Sequence, residues 1–213
     1  MHRSKLNQII EALEQEYPEA RCSLNWKTPL ELLISTQLSA QCTDARVNMV
    51  TPALFARFPD AQSFAEADVA EIEKYIHSTG LYKNKAKNIQ LCCRQLLERH
   101  QGEVPDTMEA LTALAGTGRK TANLVLGELY GKPAYVVDTH VTRLCGLLRI
   151  SKHKEPVQIE RDLRKLIPPD GPDSAKALGL CHRFVLHGRK VCIARRPQCD
   201  GCCLKAMCPS FKR

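Results

Sequence analysis

The sequence lacks the features of a membrane protein, a secreted scaffold and a β-sheet protein. No apolar run approaches the ~18 residues that a membrane helix needs, and Met1-His-Arg-Ser-Lys5 does not lead into the apolar core of a signal peptide. Val136-Val137 is the only β-like stretch, and it is too short for a sheet strand. Internal repeats and low-complexity tracts are also absent. We therefore expect a soluble, cytoplasmic protein with no membrane partner.

Disulfides are not expected either, although the chain is rich in cysteine. It has 11 cysteines, an odd number, and no export signal, which together argue against a disulfide framework. Five of the 11 lie between Cys192 and Cys208, and this clustering needs a separate explanation.

The charge is strongly positive. Lys and Arg total 31 against 23 Asp and Glu, which gives a formal net charge of +8 and a pI near 9.0. Such a surplus favours a polyanionic partner, because basic side chains neutralise phosphates and release their counterions. On charge alone, a protein that is merely basic remains the alternative.

The apolar pattern is helical throughout. Apolar residues recur at helical spacing in the segments 6–13, 30–38, 89–97 and 122–129. Asp44, and Asp106 with Glu109 in capping-box spacing, are predicted helix starts, and Gly80 is a predicted helix stop. We predict an all-α fold of about ten short helices, with a boundary near residues 131–133, where turn residues interrupt the pattern.

A glycine-rich turn interrupts the helices at Leu114-Ala-Gly-Thr-Gly-Arg-Lys120. Gly116 and Gly118 allow a tight turn with positive φ and leave backbone N–H groups uncovered. The next helix would start with its N–H groups and positive dipole end facing outward, an anion site to which Arg119 adds charge. We predict that this hairpin (residues 114–120) binds a phosphate through its backbone, without reading sequence. A plain turn between two helices is the alternative.

Lys120 stands in the first turn of that helix, where its charge opposes the helix dipole. The cationic form is disfavoured there beside Arg119, so the position favours a reactive free amine. A lysine that only contacts phosphate or solvent is the alternative. Asp138, 18 residues further on, precedes another helical stretch, so its simplest role is that of an N-cap.

The clustered cysteines have the spacing of a metal site. Cys192, Cys199, Cys202 and Cys208 follow the pattern C-x6-C-x2-C-x5-C. Four thiolates in so short a loop can surround one metal centre, and a set of four cysteines suits zinc as well as an iron–sulfur cluster. Cys203 is interpreted as a bystander, although it could be mistaken for the third ligand. Basic residues surround the loop and are predicted to meet phosphates: Arg189, Lys190, Arg195, Arg196, Lys205, Lys212 and Arg213.

Several of these segments resemble one known family. The hairpin and the residues after it resemble the helix-hairpin-helix of the endonuclease III family of DNA glycosylases, and Tyr135-Val-Val-Asp138-Thr-His-Val resembles that family's second signature, which carries the catalytic aspartate. Segments 38–44, 80–86 and 186–189 are also similar, so the resemblance spans nearly the whole chain. One departure is Ala115, where the family usually has proline, and we expect it to loosen the turn slightly.

The resemblance implies a domain organisation and a cofactor. It implies a six-helix barrel-like domain with the helix-hairpin-helix at 22–132, an iron–sulfur cluster domain made of 1–21 and 133–213, and an active-site cleft between them. The cysteine spacing matches the loop of that family that binds a [4Fe–4S] cluster, which makes the four cysteines its ligands. The role of the cluster is expected to be structural, because all four ligands come from the protein.

The resemblance also implies a reaction and its residues. Lys120 would attack C1′ of a flipped nucleotide in damaged double-stranded DNA, Asp138 would assist, and β-elimination through the Schiff base would cut the strand. In this family a glutamine and a leucine fill the opened duplex, roles that fall here to Gln41 and Leu81. His140 and Arg143 are further predicted DNA contacts. We expect a monomer that associates with the nucleoid through DNA.

Three functions are compatible with these observations. The first is a bifunctional glycosylase and AP lyase for oxidised or damaged pyrimidines. The second is a monofunctional mismatch or adenine glycosylase of the same fold. Lys120 argues against it, as does the lack of an acid between Leu32 and Ser39, where adenine-removing relatives carry their catalytic carboxylate. The third, a non-enzymatic metal-stabilised DNA-binding module, gives no reason for the pairing of Lys120 with Asp138.

Overall fold

The structure, a computed structural model, describes residues 3–211, so Lys212 and Arg213 of the basic group lie outside the described residues. Between residues 3 and 211 all regular secondary structure is helical, and the all-α prediction is confirmed. The chain divides into two compact units. One comprises Cys22–Tyr130, and the other the described parts of Met1–Arg21 and Gly131–Arg213.

The unit of residues 22–130 contains seven of the described α-helices and one 3-10 helix, His77–Thr79. The α-helices are α2 Pro29–Leu38, α3 Asp44–Arg57, α4 Ala61–Glu66, α5 Val69–Ile76, α6 Tyr82–His100, α7 Met108–Thr112 and α8 Arg119–Tyr130.

Short polar side chains define where these helices begin. Thr28 caps α2, with Pro29 in the first helical position. The cap of α3 is Thr43 and not Asp44, and the cap of α7 is Thr107 and not Asp106, so both predicted starts are wrong by one residue. In each case the threonine has the extended backbone of an N-cap, and its hydroxyl accepts the N–H three residues on.

The core of this unit lies beneath the hairpin. Helices α2, α6, α7 and α8 contribute to one buried apolar cluster, against which Ala115 of the hairpin packs. The buried members are Leu33, Cys92, Leu96, Val104, Leu111, Leu114, Ala122, Val125 and Leu126. The hairpin therefore rests on a close-packed base that fixes the start of α8.

The second unit contains the remaining described α-helices, α1 Arg3–Glu16, α9 Thr139–Leu147, α10 Pro156–Leu166 and α11 Lys176–Lys190. Helix α11 packs against both α1 and α9, and α9 also packs against α10. Leu6, Ile9, Ile10 and Leu13, the apolar stripe predicted for α1, are buried in this unit. Two 3-10 helices, Cys199–Gly201 and Lys205–Met207, shape the cysteine loop after α11.

Each helix described between residues 3 and 211 is too short or too polar to cross a bilayer.

Candidate active site and cysteine cluster

Lys120 is the second residue of α8 and is exposed. The helix starts directly after the hairpin turn, and its first backbone hydrogen bond runs from the Ala122 N–H to the Gly118 carbonyl at 2.9 Å. Arg119, the first residue of α8, is exposed as well. Because the first N–H groups of a helix have no acceptor within the helix, this end suits an anion.

The two hairpin glycines differ in what they require. Gly116 has φ +72°, and a Cβ there would lie 3.0 Å from Cβ of Asn88 and 3.1 Å from Oε1 of Gln37. Gly118 has no positive φ, so the expected left-handed conformation is present at Gly116 only. A Cβ at Gly118 would meet open space. The backbone at Gly118 is thus exposed to whatever approaches the hairpin.

Two glutamines that the sequence analysis missed bind the hairpin from below. Nε2 of Gln37, in α2, donates to the Ala115 carbonyl at 3.1 Å and to the Thr117 hydroxyl at 3.0 Å. Oε1 of Gln95, in α6, accepts the Ala115 N–H at 2.7 Å. Gln37 lies in a helix whose residues 32–38 are all buried. Gln37 stands three and four residues after Ile34 and Leu33 of the predicted apolar stripe, and this was the available signal, because buried polar groups are rare without a partner.

Gln41 and Leu81, the two residues predicted to fill the opened duplex (the wedge residues), share an unusual backbone conformation. Gln41 has φ 54° and Leu81 has φ 49°, a left-handed geometry that few non-glycine residues adopt. Both are exposed, and Leu81 keeps 57% of its surface accessible, which is unusual for a leucine. Strained backbone tends to occur at functional sites.

Lys85 connects the segments that precede these two residues. Its ammonium group is buried and donates to the Leu38 carbonyl and to the Thr79 carbonyl, both at 2.8 Å. Burial lowers the pKa of Lys85. Leu38 ends α2 and Thr79 ends the 3-10 helix, so one charged side chain binds the two chain reversals that carry Gln41 and Leu81.

Asp138 is the N-cap of α9, as its simplest interpretation predicted. Its Oδ1 accepts the Val141 N–H at 2.8 Å, and its side chain is half-buried. His140, two residues on, is also half-buried. Burial lowers the pKa of His140; the Asp138 carboxylate opposes this shift, and the charges of Arg143 and Arg189 reinforce it.

Arg143 lies on α9 and binds the chain that leads into the cysteine loop. Its Nη2 donates to the Gly188 carbonyl at 2.9 Å and to the Cys192 carbonyl at 2.8 Å, and it lies 3.2 Å from Nδ1 of His140. These contacts give Arg143 a structural task. Its contact with DNA stays a prediction.

The four spaced cysteines line one cavity. Cys192, Cys199, Cys202 and Cys208 all border a space of about 90 Å³, and Cys203 is not among the lining residues. A single water needs only ~10–15 Å³ of such space, so the cavity suits a group of several atoms. Among residues 3–211 no three Cys, His, Asp or Glu side chains converge on one ion position. In a [4Fe–4S] cube each thiolate binds a different iron, and four thiols around a multi-atom cavity fit that group.

A buried histidine lies behind this cavity. Nε2 of His187 is 3.4 Å from Sγ of Cys202, and Nδ1 of His187 is 3.0 Å from the Tyr17 hydroxyl. If the tyrosine donates, Nε2 carries the proton and faces the sulfur. Burial raises the pKa of Tyr17 to about 12, which keeps the phenol protonated as that donor requires.

The predicted site residues fall into groups within each unit. In the unit of residues 22–130, Gly116, Gly118, Arg119 and Lys120 share one turn, whereas Gln41 and Leu81 lie on separate reversals that Lys85 connects. In the other unit, Asp138, His140 and Arg143 share the first turns of α9, and Arg143 reaches the cysteine loop.

The chain matches a family of repair proteins and several of its members. The family profile "HhH-GPD superfamily base excision DNA repair protein" matches residues 34–169. Endonuclease III of Synechocystis sp. is 51% identical over 210 residues, 98% of this chain and 93% of that protein. Endonuclease III of Escherichia coli (strain K12) is 40% identical over 209 residues, 98% of this chain and 96% of that protein.

Solved structures agree with the sequence matches. A non-covalent endonuclease III–DNA complex superposes with a TM-score of 0.91 at 37% identity, covering 99% of this chain and 96% of that one. A trapped covalent endonuclease III–DNA intermediate gives the same TM-score and identity, covering 99% and 97%. The chain therefore belongs to the endonuclease III family of HhH-GPD superfamily base excision DNA repair proteins, and it is a bifunctional DNA glycosylase and AP lyase.

Proposed function

We propose that this enzyme removes oxidised or otherwise damaged pyrimidines from double-stranded DNA, with Lys120 as nucleophile and Asp138 as the assisting carboxylate. The observation that carries the proposal is the position of Lys120, an exposed amine in the first turn of α8 directly behind the hairpin. A DNA-binding module has no use for an amine there beyond phosphate contact. A lyase needs one that can reach a sugar carbon next to a bound phosphate.

The proposed chemistry uses one amine for both steps. The damaged nucleotide leaves the stack, because C1′ is inaccessible inside the duplex. Nζ of Lys120 forms a bond to C1′, and the base departs with the electrons of the glycosidic bond. Asp138 stabilises the positive charge that develops on the sugar, or accepts the proton that the amine loses. The sugar ring then opens at the C1′–O4′ bond, O4′ takes up a proton, and the nitrogen lone pair completes the Schiff base. The Schiff base makes the C2′ proton acidic, and β-elimination breaks the C3′–O bond.

We propose that the remaining contacts hold an opened duplex. The hairpin with Gly116, Gly118 and Arg119 binds phosphate, and so do His140 and Arg143. Gln41 fills the space that the flipped nucleotide leaves, and Leu81 inserts beside the opposite strand. The exposure and left-handed backbone of both residues support this role.

Endonuclease III proteins carry a [4Fe–4S] cluster, and we propose that Cys192, Cys199, Cys202 and Cys208 are its ligands in this chain. The cavity that these four thiols line supports the assignment. The cluster, when bound, cross-links the loop and leaves no open position for substrate. The loop is then rigid enough for its basic residues to meet DNA phosphates.

We also propose the predicted division of labour between the units, with the DNA-binding hairpin and its helices at 22–132 and the cluster in 1–21 with 133–213. The enzyme would act as a cytoplasmic monomer, held at the nucleoid by duplex DNA. Sedimentation of the purified protein alone and with a short duplex tests the monomer. A 1:1 complex is expected.

Borohydride trapping tests the central assignment. Reduction during the reaction with a duplex that contains an oxidised pyrimidine should give a covalent protein–DNA adduct, because it reduces the Schiff base. Lys120→Gln should abolish the adduct and strand scission, while undamaged duplex still binds through the hairpin amides. An undiminished adduct in that variant would show that another amine is the nucleophile. Base loss without scission in the native enzyme would indicate a monofunctional glycosylase.

A further inference from the structure

Both backbone polar groups of Ala115 are bound by glutamine side chains. The carbonyl accepts from Nε2 of Gln37 at 3.1 Å, and the N–H donates to Oε1 of Gln95 at 2.7 Å. Gln37 comes from α2 and Gln95 from α6, so the peptide unit is held from two helices. The same Nε2 also donates to the Thr117 hydroxyl at 3.0 Å, which adds a second point of attachment on the hairpin.

Gln37 is unlike an ordinary core residue. The residue is 4% exposed, and among the described residues its Oε1 has no hydrogen-bond partner. A buried acceptor without a partner is unfavourable, and an apolar side chain of similar shape would avoid it. The glutamine therefore contributes something that packing alone does not provide. Its Nε2 donates to two atoms of the hairpin, and the side chain also contacts the Cys92 thiol.

The Gln95 contact depends on the residue at position 115. Proline has no backbone N–H, so a proline there could not donate to Oε1 of Gln95. Alanine frees the N–H, and the structure shows that N–H bonded. The expected loosening of the turn at Ala115 is thus opposed by a hydrogen bond that proline would not allow.

We propose that Gln37 and Gln95 are positioning residues that clamp the backbone of Ala115 and so set the place of the phosphate-binding hairpin and of Lys120. Lys120 lies five residues after Ala115, with one turn between them. Displacement of a reacting group by about 1 Å can lower a rate by roughly a hundredfold. The inference rests on the proposed function of the hairpin and of Lys120.

The direction of each hydrogen bond makes the test specific. Gln95 acts as an acceptor, so Gln95→Leu removes the bond, whereas Gln95→Glu keeps a carboxylate oxygen for the Ala115 N–H. Gln37 acts as a donor, so Gln37→Glu keeps the shape but places an acceptor against the Ala115 carbonyl. Gln90→Leu is the matched control, because Gln90 lies on α6 too and donates to the Ala67 carbonyl, away from the hairpin.

Two quantities are measured for each variant: the hydrogen exchange rate of the Ala115 amide and the rate of adduct trapping at saturating damaged DNA. Gln95→Leu and Gln37→Glu should speed exchange and slow trapping, each by about tenfold or more. Gln95→Glu should stay within about threefold of the native enzyme in trapping, and Gln90→Leu should change neither quantity. The clamp is refuted if Gln95→Glu is as impaired as Gln95→Leu, or if Gln95→Leu behaves like the control.

A double-mutant cycle gives a second test of the same bond. Ala115→Pro removes the N–H, so Gln95→Leu should slow trapping far less in the Ala115→Pro background than in the native one. Additive effects would show that Gln95 acts in another way. If Ala115→Pro does not fold, the Gln95→Glu comparison decides. Hydrogen exchange at Ala115 does not depend on catalysis. An unprotected Ala115 amide would therefore refute the clamp even if the native enzyme forms the adduct. If the native enzyme forms no adduct, only the assignment of Lys120 as nucleophile is refuted.

Discussion

Asp138 uses one carboxylate oxygen to cap α9, and a carboxylate has a second oxygen and a charge to offer. Asparagine caps a helix as well as aspartate does, so Asp138→Asn should change the free energy of unfolding by less than about 0.5 kcal/mol. The charge is lost, and the rate of base removal should fall by about 10² or more. Urea unfolding and single-turnover kinetics measure the two effects separately.

The matched control for this exchange is Asp60→Asn. Asp60 caps α4 by the same kind of bond, from the Ser63 N–H at 2.8 Å, and no DNA contact is proposed for it. Asp60→Asn should keep full activity. If Asp138→Asn is also fully active, Asp138 is a cap alone and the proposed mechanism loses its carboxylate.

Substitution of each of the two adjacent cysteines, Cys202 and Cys203, tests which of them is a cluster ligand. Cys202 lines the cavity with the other three spaced cysteines, whereas Cys203 does not. Cys202→Ala should therefore lower the iron content and the visible absorption of protein purified from cells, and weaken duplex binding. Cys203→Ala should retain both iron and colour. Equal iron loss in both variants would mean that the ligand set is wrong, and stoichiometric zinc in place of iron would exclude the cluster.

At the scale of the hairpin, the two glycines should fail in different ways. Gly116→Ala forces alanine to φ +72° and places Cβ 3.0 Å from Cβ of Asn88, so unfolding should become easier by about 1–3 kcal/mol. Gly118→Ala meets open space and should leave stability nearly unchanged. Its methyl group would instead intrude where a phosphate approaches the backbone. Duplex binding should therefore weaken in a protein that is as stable as the native one.

Gln41 and Leu81 should contribute to turnover only when a duplex has to be opened. Leu81→Ala and Gln41→Ala should lower turnover on a paired lesion more than on the same lesion in a single strand. Leu91→Ala removes another exposed leucine, and Gln101→Ala another glutamine with positive φ, so they are the controls. Equal losses on both substrates would contradict the wedge assignment.

Local patterns predicted the helices well and their exact starts less well. The apolar stripe of α1 and the stop at Gly80, which has φ 69°, follow from spacing and residue type. The exact starts of α3 and α7 could not be predicted in this way, because a threonine and an aspartate are adjacent at the start of each helix and either residue can be the N-cap. The choice depends on backbone conformation, which the sequence alone does not reveal.

Contacts between distant segments set another limit on prediction. The cysteine spacing is local, so its grouping could be predicted from four residues in one loop. The bonds of Lys85 to Leu38 and of Gln37 to Ala115 join residues 47 and 78 positions apart, respectively. The spacing of apolar residues along the sequence does not predict such long-range contacts. The only signal was a polar side chain on a face that is otherwise apolar.

At the scale of the whole molecule, the net charge of +8 should govern duplex binding. Lys and Arg that neutralise phosphates release counterions, so the logarithm of the binding constant should fall linearly with the logarithm of salt concentration, by about 0.9 per phosphate contacted. We expect a slope of several units on undamaged duplex, measured by fluorescence anisotropy between about 50 and 200 mM salt. The slope should not depend on base sequence, because the hairpin offers backbone amides and charge rather than base-reading groups.

Single substitutions test which charges produce that slope. Arg119→Gln should lower the magnitude of the slope by about one unit, the share of one phosphate contact, and should weaken binding to all DNA sequences alike. Glu73→Gln changes the net charge by the same amount in the opposite direction, on α5, where no phosphate contact is proposed. If only overall charge mattered, the two variants would shift affinity by similar amounts in opposite directions. A change in slope confined to Arg119→Gln would instead place the contact at the hairpin, and a flat salt dependence in the native enzyme would contradict phosphate binding altogether.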